Sequence, residues 1–309
     1  MQMLRERAAL VDKLRGFFAK RGVLEVDTPM LSCAGTVDRN IDSFEATGGR
    51  WLQTSPEFAM KRLVAAGSGP IFQIAHVFRI DEAGRHHNPE FSMLEWYRPG
   101  WDHRQLMTEV AALLGSVVTG LPAELKEVSY RAAFINHAGV DPLESGTAGL
   151  QRRCKELGIE LVPTGGNAVE QRDFYLDLLM SKAVGPALGR DAPEFLYDFP
   201  ASQAALARIR ADDPPVAERF ELFWKGIELA NGFHELNDAR EQRRRFERDR
   251  EARGALGLPT PEVDEHLLAA LESGLPDCAG VAVGIDRLLM LMQGLDDVRD
   301  TFAFDWMRA

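Results

Sequence analysis

FRIDEAGRHHNPEFSMLEWY, residues 78–97, gathers the tools for gripping an activated phosphate into twenty positions. Arg79 is a planar, permanently charged fork. His86 and His87 add titratable donors, and Phe91 offers an aromatic face on which a purine can stack. Glu90 and Glu95 supply carboxylates nearby. Upstream, Phe72, Ile74, Val77, Phe78 and Ile80 read as a strand, so the pattern predicts strand, polar loop, strand. An ordinary β-hairpin shares that backbone, and other segments must decide the loop's chemistry.

The bulk numbers exclude several classes. With 309 residues, 45% hydrophobic and 27% charged, the chain reads as a soluble globular protein. Arg, Glu, Asp and Lys interrupt the apolar residues of the N-terminal stretch, so neither a signal peptide nor a membrane span is expected. Cys33, Cys154 and Cys278 are odd in number and widely spaced, which argues against a disulfide framework or structural zinc and fits a reducing cytoplasm. A net charge of -11 disfavours nucleic-acid binding. Arg243, Arg244, Arg245, Arg248 and Arg250 alternate with Glu241, Glu247 and Glu251, as on a solvated helix.

Along the chain, Leu4, Ala8, Val11, Leu14 and Phe18 predict an amphipathic helix ending near Gly22, followed by a strand over 23–31 stopped by Pro29. Residues 51–67 read as a short strand and a helix with Ser55 as its cap and Pro56 at its first position. Asp102 caps another helix. The segment at about 120–190 reads as a helical insertion, punctuated at Pro142, Gly146, Pro163 and Gly165. These elements predict an α+β fold, a mostly antiparallel β-sheet flanked by helices within a single domain, 1–309.

Two later segments carry chemistry. In ERFELFWKGIELANGFHELND (218–238), a turn at Lys225 and Gly226 would form a hairpin with Glu221 diagonal to Glu228 on one face. Like charges on a partly buried face repel unless a cation separates them, which points to Mg2+. Glu235 would face oppositely to Glu228 in a straight strand, so both can serve one site only on different walls, or if Gly232 makes a bulge. In GVAVGIDRLLMLM (280–292), Gly280 and Gly284 leave room beside a strand that turns into a helix, with Arg287 in its first turn.

Taken together, the segments resemble motifs 1, 2 and 3 of the class II aminoacyl-tRNA synthetases, in family order from about Leu4 onward. TSPE (54–57), HNPEFSMLEWY (87–97) and NGFHELND (231–238) resemble the lysine branch. The resemblance implies ATP and Mg2+ as cofactors, with Arg79 and Arg287 catalytic. Nucleotide contacts would come from Arg79, Asp81, Glu82, His87, Asn88, Phe91, Glu221, Glu228 and Arg287. Glu221 and Glu228 would hold the Mg2+. The amino-acid pocket would use Ser55, Glu57, Glu95, Tyr97, Asn231, Phe233, Glu235 and Ala282. Two departures stand out: Asp81 and Glu82 replace the usual glutamate two places after the motif 2 arginine, and His86 stands where the synthetases often have arginine.

Motif 1 begins within the first residues, so the expectation is a catalytic core with no anticodon-binding domain. That pattern is similar to the elongation factor P modifying enzymes, which transfer a β-lysyl group to a lysine side chain of elongation factor P. FPASQAAL (199–206) and Ala282, where lysyl-tRNA synthetases have glycine, support this branch. The resemblance implies elongation factor P and β-lysine as partners, a homodimer through motif 1, no tRNA, no membrane, and a cytoplasmic location. Charging of tRNA, and a non-catalytic amino-acid sensor, are the two other readings.

Overall fold

Leu10, Leu14, Phe17 and Phe18 form the buried stripe of helix α1 (Gln2–Ala19). In this computed structural model, residues 1–80, 83–160 and 166–309 are described; Asp81, Glu82, Pro163 and Gly165 lie outside them. Gly22, at φ 65°, turns the chain after α1. The strand expected over 23–31 is two short pieces, β1 (Leu24–Glu25) and β2 (Leu31–Ser32). Val26 still donates to Phe72 O at 2.9 Å, but Pro29 lacks an N–H and the ladder stops. β2 joins β3 (Glu45–Ala46) and β4 (Arg50–Leu52) in a small sheet of order β2-β4-β3.

Helix α2 (Glu57–Ala65) leads to β5 (Ile71–Phe78) and β6 (Glu90–Pro99), which pair antiparallel with Phe78 opposite Glu90. Phe18 of α1 stacks on Phe72 at 4.4 Å and meets Trp96 edge-on at 5.2 Å. Each such aromatic pair adds about 0.5–1.5 kcal/mol to simple burial. Helix α3 (His103–Val117) starts with the expected Asp102 cap, completed into a capping box by Gln105. Its Glu109 accepts from Trp96 Nε1 at 3.0 Å and from Arg98 Nε at 2.7 Å, so this buried carboxylate is paired.

By contact density the chain divides into two compact units, one joining Met1–Gly120 to Leu236–Ala309 and the other Leu121–Glu235. The second contains β7 (Lys126–Ser129), α4 (Tyr130–Ala138), α5 (Thr147–Glu156), α6 (Ala168–Leu179), β8 (Glu194–Pro200), β9 (Ile209–Arg210), β10 (Val216–Trp224) and β11 (Ile227–His234). Besides its helices, the segment at about 120–190 thus supplies β7, parallel to β8. Tyr130 stacks on Phe134 at 4.4 Å and leans on Phe199 at 4.9 Å, within a core that includes Leu176, Leu179 and Leu196. Lys225 (φ 52°) and Gly226 (φ 76°) make the expected two-residue turn between β10 and β11.

The chain returns to the first unit with α7 (Ala239–Ala255), α8 (Glu265–Gly274), β12 (Cys278–Gly284) and α9 (Ile285–Met292). There β1, β5, β6 and β12 lie side by side; β1 is parallel to β5 and the other neighbours are antiparallel. The arginines of α7 are countered by carboxylates, Arg243 by Glu265 at 2.6 Å and Arg245 by Glu241 at 2.8 Å. No described helix is long and apolar enough to cross a membrane.

Arg253, 1% exposed, donates to Pro259 O, Asp38 O and Ile41 O at 2.6, 2.7 and 3.0 Å and pairs with Asp42. Removing one partner of a buried charged network strands the others. Arg253→Met is therefore expected to cost about 3 kcal/mol in urea denaturation, whereas Arg243→Ala, at an exposed pair, costs under about 0.5 kcal/mol.

Candidate active site

The register of β6 decides which side chains meet. Directly opposite residues share a face, so Ala282 of β12 lies across from Glu95 on one side and Gln73 of β5 on the other. Alternation adds Phe91, Met93 and Tyr97 to that face. Glu95 is 2% exposed, and both its oxygens are held, by Ser55 Oγ and Tyr97 Oη, each donating at 2.7 Å. Ser55 also accepts from Glu57 N at 3.0 Å, while Pro56 occupies the cap position expected for Ser55. Glu57 in turn accepts from Lys61 Nζ at 2.6 Å.

Burial, reinforced by the nearby Glu57 carboxylate, pushes the Glu95 carboxyl up to about 7, against the pull of the Ser55 and Tyr97 hydrogen bonds and of Lys61. From its usual value of 4.5 up to about 7 the folded chain holds a proton that the unfolded chain has released. Stability therefore falls as pH rises through that window. An ionised Glu95 calls for a cation, and an arriving ammonium would supply one.

The same surface continues toward the loop of 78–97. Arg79 lies over the Phe91 ring, 5.2 Å from its centroid, and donates through Nε to Thr54 O at 3.3 Å. Arg287 sits in the first turn of α9 and donates through Nε to His86 O at 3.0 Å. A Cβ at Gly284 would rest at ordinary contact distance, 3.8 Å, on the Arg287 methylenes, so the glycine lies beside the stem of that side chain. Burial and the Arg287 and Arg85 charges hold the His86 imidazole below its ordinary value, favouring its neutral form. Asn88 is buried, with its amide donating to Glu90 O at 2.6 Å and accepting from Trp306 N at 3.0 Å, so it braces the loop. The side chain of His87 is exposed, and Glu90 turns away to pair with His76 at 3.0 Å.

In the second unit, Leu222 faces Ala230 while Phe223 faces Glu228, so the bulge falls at Leu229 rather than at Gly232. It shifts the alternation of β11 by one residue. Glu221 lies opposite Asn231, Arg219 opposite Phe233, and Glu228 opposite Phe223, all on one face; Glu235, 1% exposed, continues the alternation. Burial raises the Glu221 carboxyl to about 7, with repulsion from Glu228 adding to the rise and Arg219 opposing it. A buried carboxylate and a half-buried one that repel each other suit a hard divalent cation, so Glu221 and Glu228 fit Mg2+.

Three charged groups here were missed in the sequence. Arg219 donates to Asn231 Oδ1 at 3.2 Å, bonds Glu221, and lies 4.4 Å over Phe199. Its alternation with Glu221 was the available signal. Lys61 looks like a surface i, i+4 partner of Glu57, and only its 2% exposure marks it as part of the cradle. Asp286 looks like a first-turn acid, yet it is equally buried.

Comparison with known proteins gives the family. The model of the tRNA synthetases class II (D, K and N) matches residues 1–308. Proteins named elongation factor P--(R)-beta-lysine ligase, from Salmonella typhi and Salmonella dublin, are 49% and 50% identical over 99% of this chain and 95% of theirs. The α+β architecture, its three motif-bearing segments and these matches together place the chain in the class II tRNA synthetase family of the D, K and N type.

Proposed function

We propose that the protein is an ATP-dependent ligase that activates (R)-β-lysine as its adenylate and transfers it to a lysine side chain of elongation factor P. The observation that carries this reading is the buried Glu95, held by Ser55 and Tyr97 and faced by Ala282. It recognises an amine by charge and hydrogen bonding, and Glu57 adds a second carboxylate beside it. The likeness to ligases of that name over nearly the whole chain supports β-lysine and elongation factor P as substrates.

In the first step a carboxylate oxygen of β-lysine attacks the α-phosphorus of ATP. A new P–O bond forms and the bond to pyrophosphate breaks. Arg79 and Arg287 stabilise the negative charge on the phosphate oxygens, and Phe91 offers the face on which adenine stacks. In the second step the acceptor lysine amine attacks the acyl carbon, AMP leaves with its bonding pair, and the amine loses a proton as the amide forms. Glu221 and Glu228 would hold the Mg2+, which supplies charge neutralisation for the phosphates. Binding and orientation suffice, with no covalent intermediate on the protein. A homodimer through α1, with tRNA not an acceptor and a cytoplasmic location, completes the proposal.

Ala282 sets the pocket floor opposite Glu95, where one methyl group shortens the room for an α-amine. A methyl of this kind shifts selectivity by about 1–3 kcal/mol. Ala282→Gly should raise α-lysine activation relative to β-lysine about tenfold in ATP–pyrophosphate exchange; an unchanged ratio would remove Ala282 as selector.

Because a cationic substrate pairs with ionised Glu95, kcat/KM for β-lysine should fall about tenfold per pH unit below about 7, the value to which burial raises Glu95. Glu95→Gln should abolish that slope and cost about 100-fold in kcat/KM at pH 8. Intact mass spectrometry of elongation factor P after incubation with the enzyme, ATP and β-lysine should show the gain of one lysyl residue. No gain on elongation factor P, with tRNA aminoacylated instead, would favour the tRNA-charging reading.

A further inference from the structure

We infer that Arg7, through its ion pair with the buried Asp286, is a positioning residue for Arg287. The inference rests on the adenylate-forming role proposed above. Arg7 lies on α1, far from the nucleotide loop in sequence, yet its guanidinium reaches three other segments of the first unit. It bonds Asp286 Oδ1, donates to Ser92 Oγ at 3.3 Å and to Thr301 O at 3.4 Å, and lies 5.4 Å over the Phe302 ring.

Asp286 is 2% exposed, and its second oxygen accepts from Ser92 N at 2.6 Å. An acid that served only the dipole of α9 could remain in water. This one is desolvated between a strand and a helix, a cost that only fixed partners offset. Its neighbours explain what the arrangement fixes. Ser92 follows Phe91 and Asp286 precedes Arg287, so one carboxylate ties the backbone of the stacking aromatic to the backbone of the phosphate-binding arginine. The side chain of Arg287 is tethered separately, to His86 O at 3.0 Å. Without Arg7 the Asp286 charge keeps a backbone donor but loses its counter-ion, and the first turn of α9 loses its fixed register against β6.

The test is ATP–pyrophosphate exchange with β-lysine on wild type, Arg7→Ala, Arg7→Lys, Asp286→Asn and the Arg7→Ala/Asp286→Asn double variant, with thermal melts of each. Positioning predicts that KM for ATP rises about tenfold in Arg7→Ala while KM for β-lysine stays within about twofold. Arg7→Lys should restore most of the loss, and the double variant should be no worse than the poorer single one, because both break the same pair. If Arg7→Ala fails to fold, Asp286→Asn is judged by the same rise in KM for ATP, and Arg7→Lys by its near-wild-type value. A fall in turnover with both KM values unchanged would overturn the inference and leave the proposed reaction standing. A wild-type protein that exchanges no pyrophosphate with either lysine isomer would overturn both.

Discussion

The two-residue period of β6 is the constraint on which the first unit depends. One face of the strand carries Leu94 and Trp96 into the packing against α1 and α3, while the other presents Phe91, Glu95 and Tyr97. A slip of one residue would exchange the two sets, driving Glu95 into apolar packing and taking Trp96 away from Phe18. Fully burying each large apolar side chain is worth about 1.5–3 kcal/mol, so the hydrophobic face fixes the register that the chemistry needs. The same register, carried across to β12, sets Ala282 opposite Glu95 and then delivers Arg287 at the start of α9.

Charge is handled in the same way in both units. Each holds a carboxylate that burial pushes up to about 7, with a second carboxylate nearby and a single basic side chain, Lys61 or Arg219, as partial compensation. Compensation is incomplete in each case, as expected of groups whose full partner is a ligand. Arg98 with Glu109 provides the contrast. There the carboxylate accepts from Trp96 and Arg98, and the cluster joins β6 to α3.

Much of this was legible in the sequence, and the losses have identifiable causes. Period and punctuation were sufficient for α1, the Asp102 cap, the Lys225–Gly226 hairpin and the strand-to-helix turn before Arg287. They failed over 23–31, where alternation suggested a strand but Pro29 and the edge position left two rungs on each side. Parity identified the problem with Glu235 correctly, yet could not locate the bulge, because Leu229 has no backbone signature of the kind glycine gives. Arg7, Lys61 and Asp286 were invisible for a more general reason. Each looks like an ordinary helix-surface charge, and only tertiary burial distinguishes it from one.

The buried Glu95 takes up its charge when the cationic amine of the substrate arrives. Calorimetric titration of β-lysine at pH 7, in buffers of different ionisation enthalpy, measures that proton directly. With the carboxyl at about 7 in the free protein, binding should release about half a proton per site, and Glu95→Gln should release none. Binding of β-lysine to the unaltered protein with no proton release would mean that Glu95 is already ionised, or stays protonated, when the amine binds.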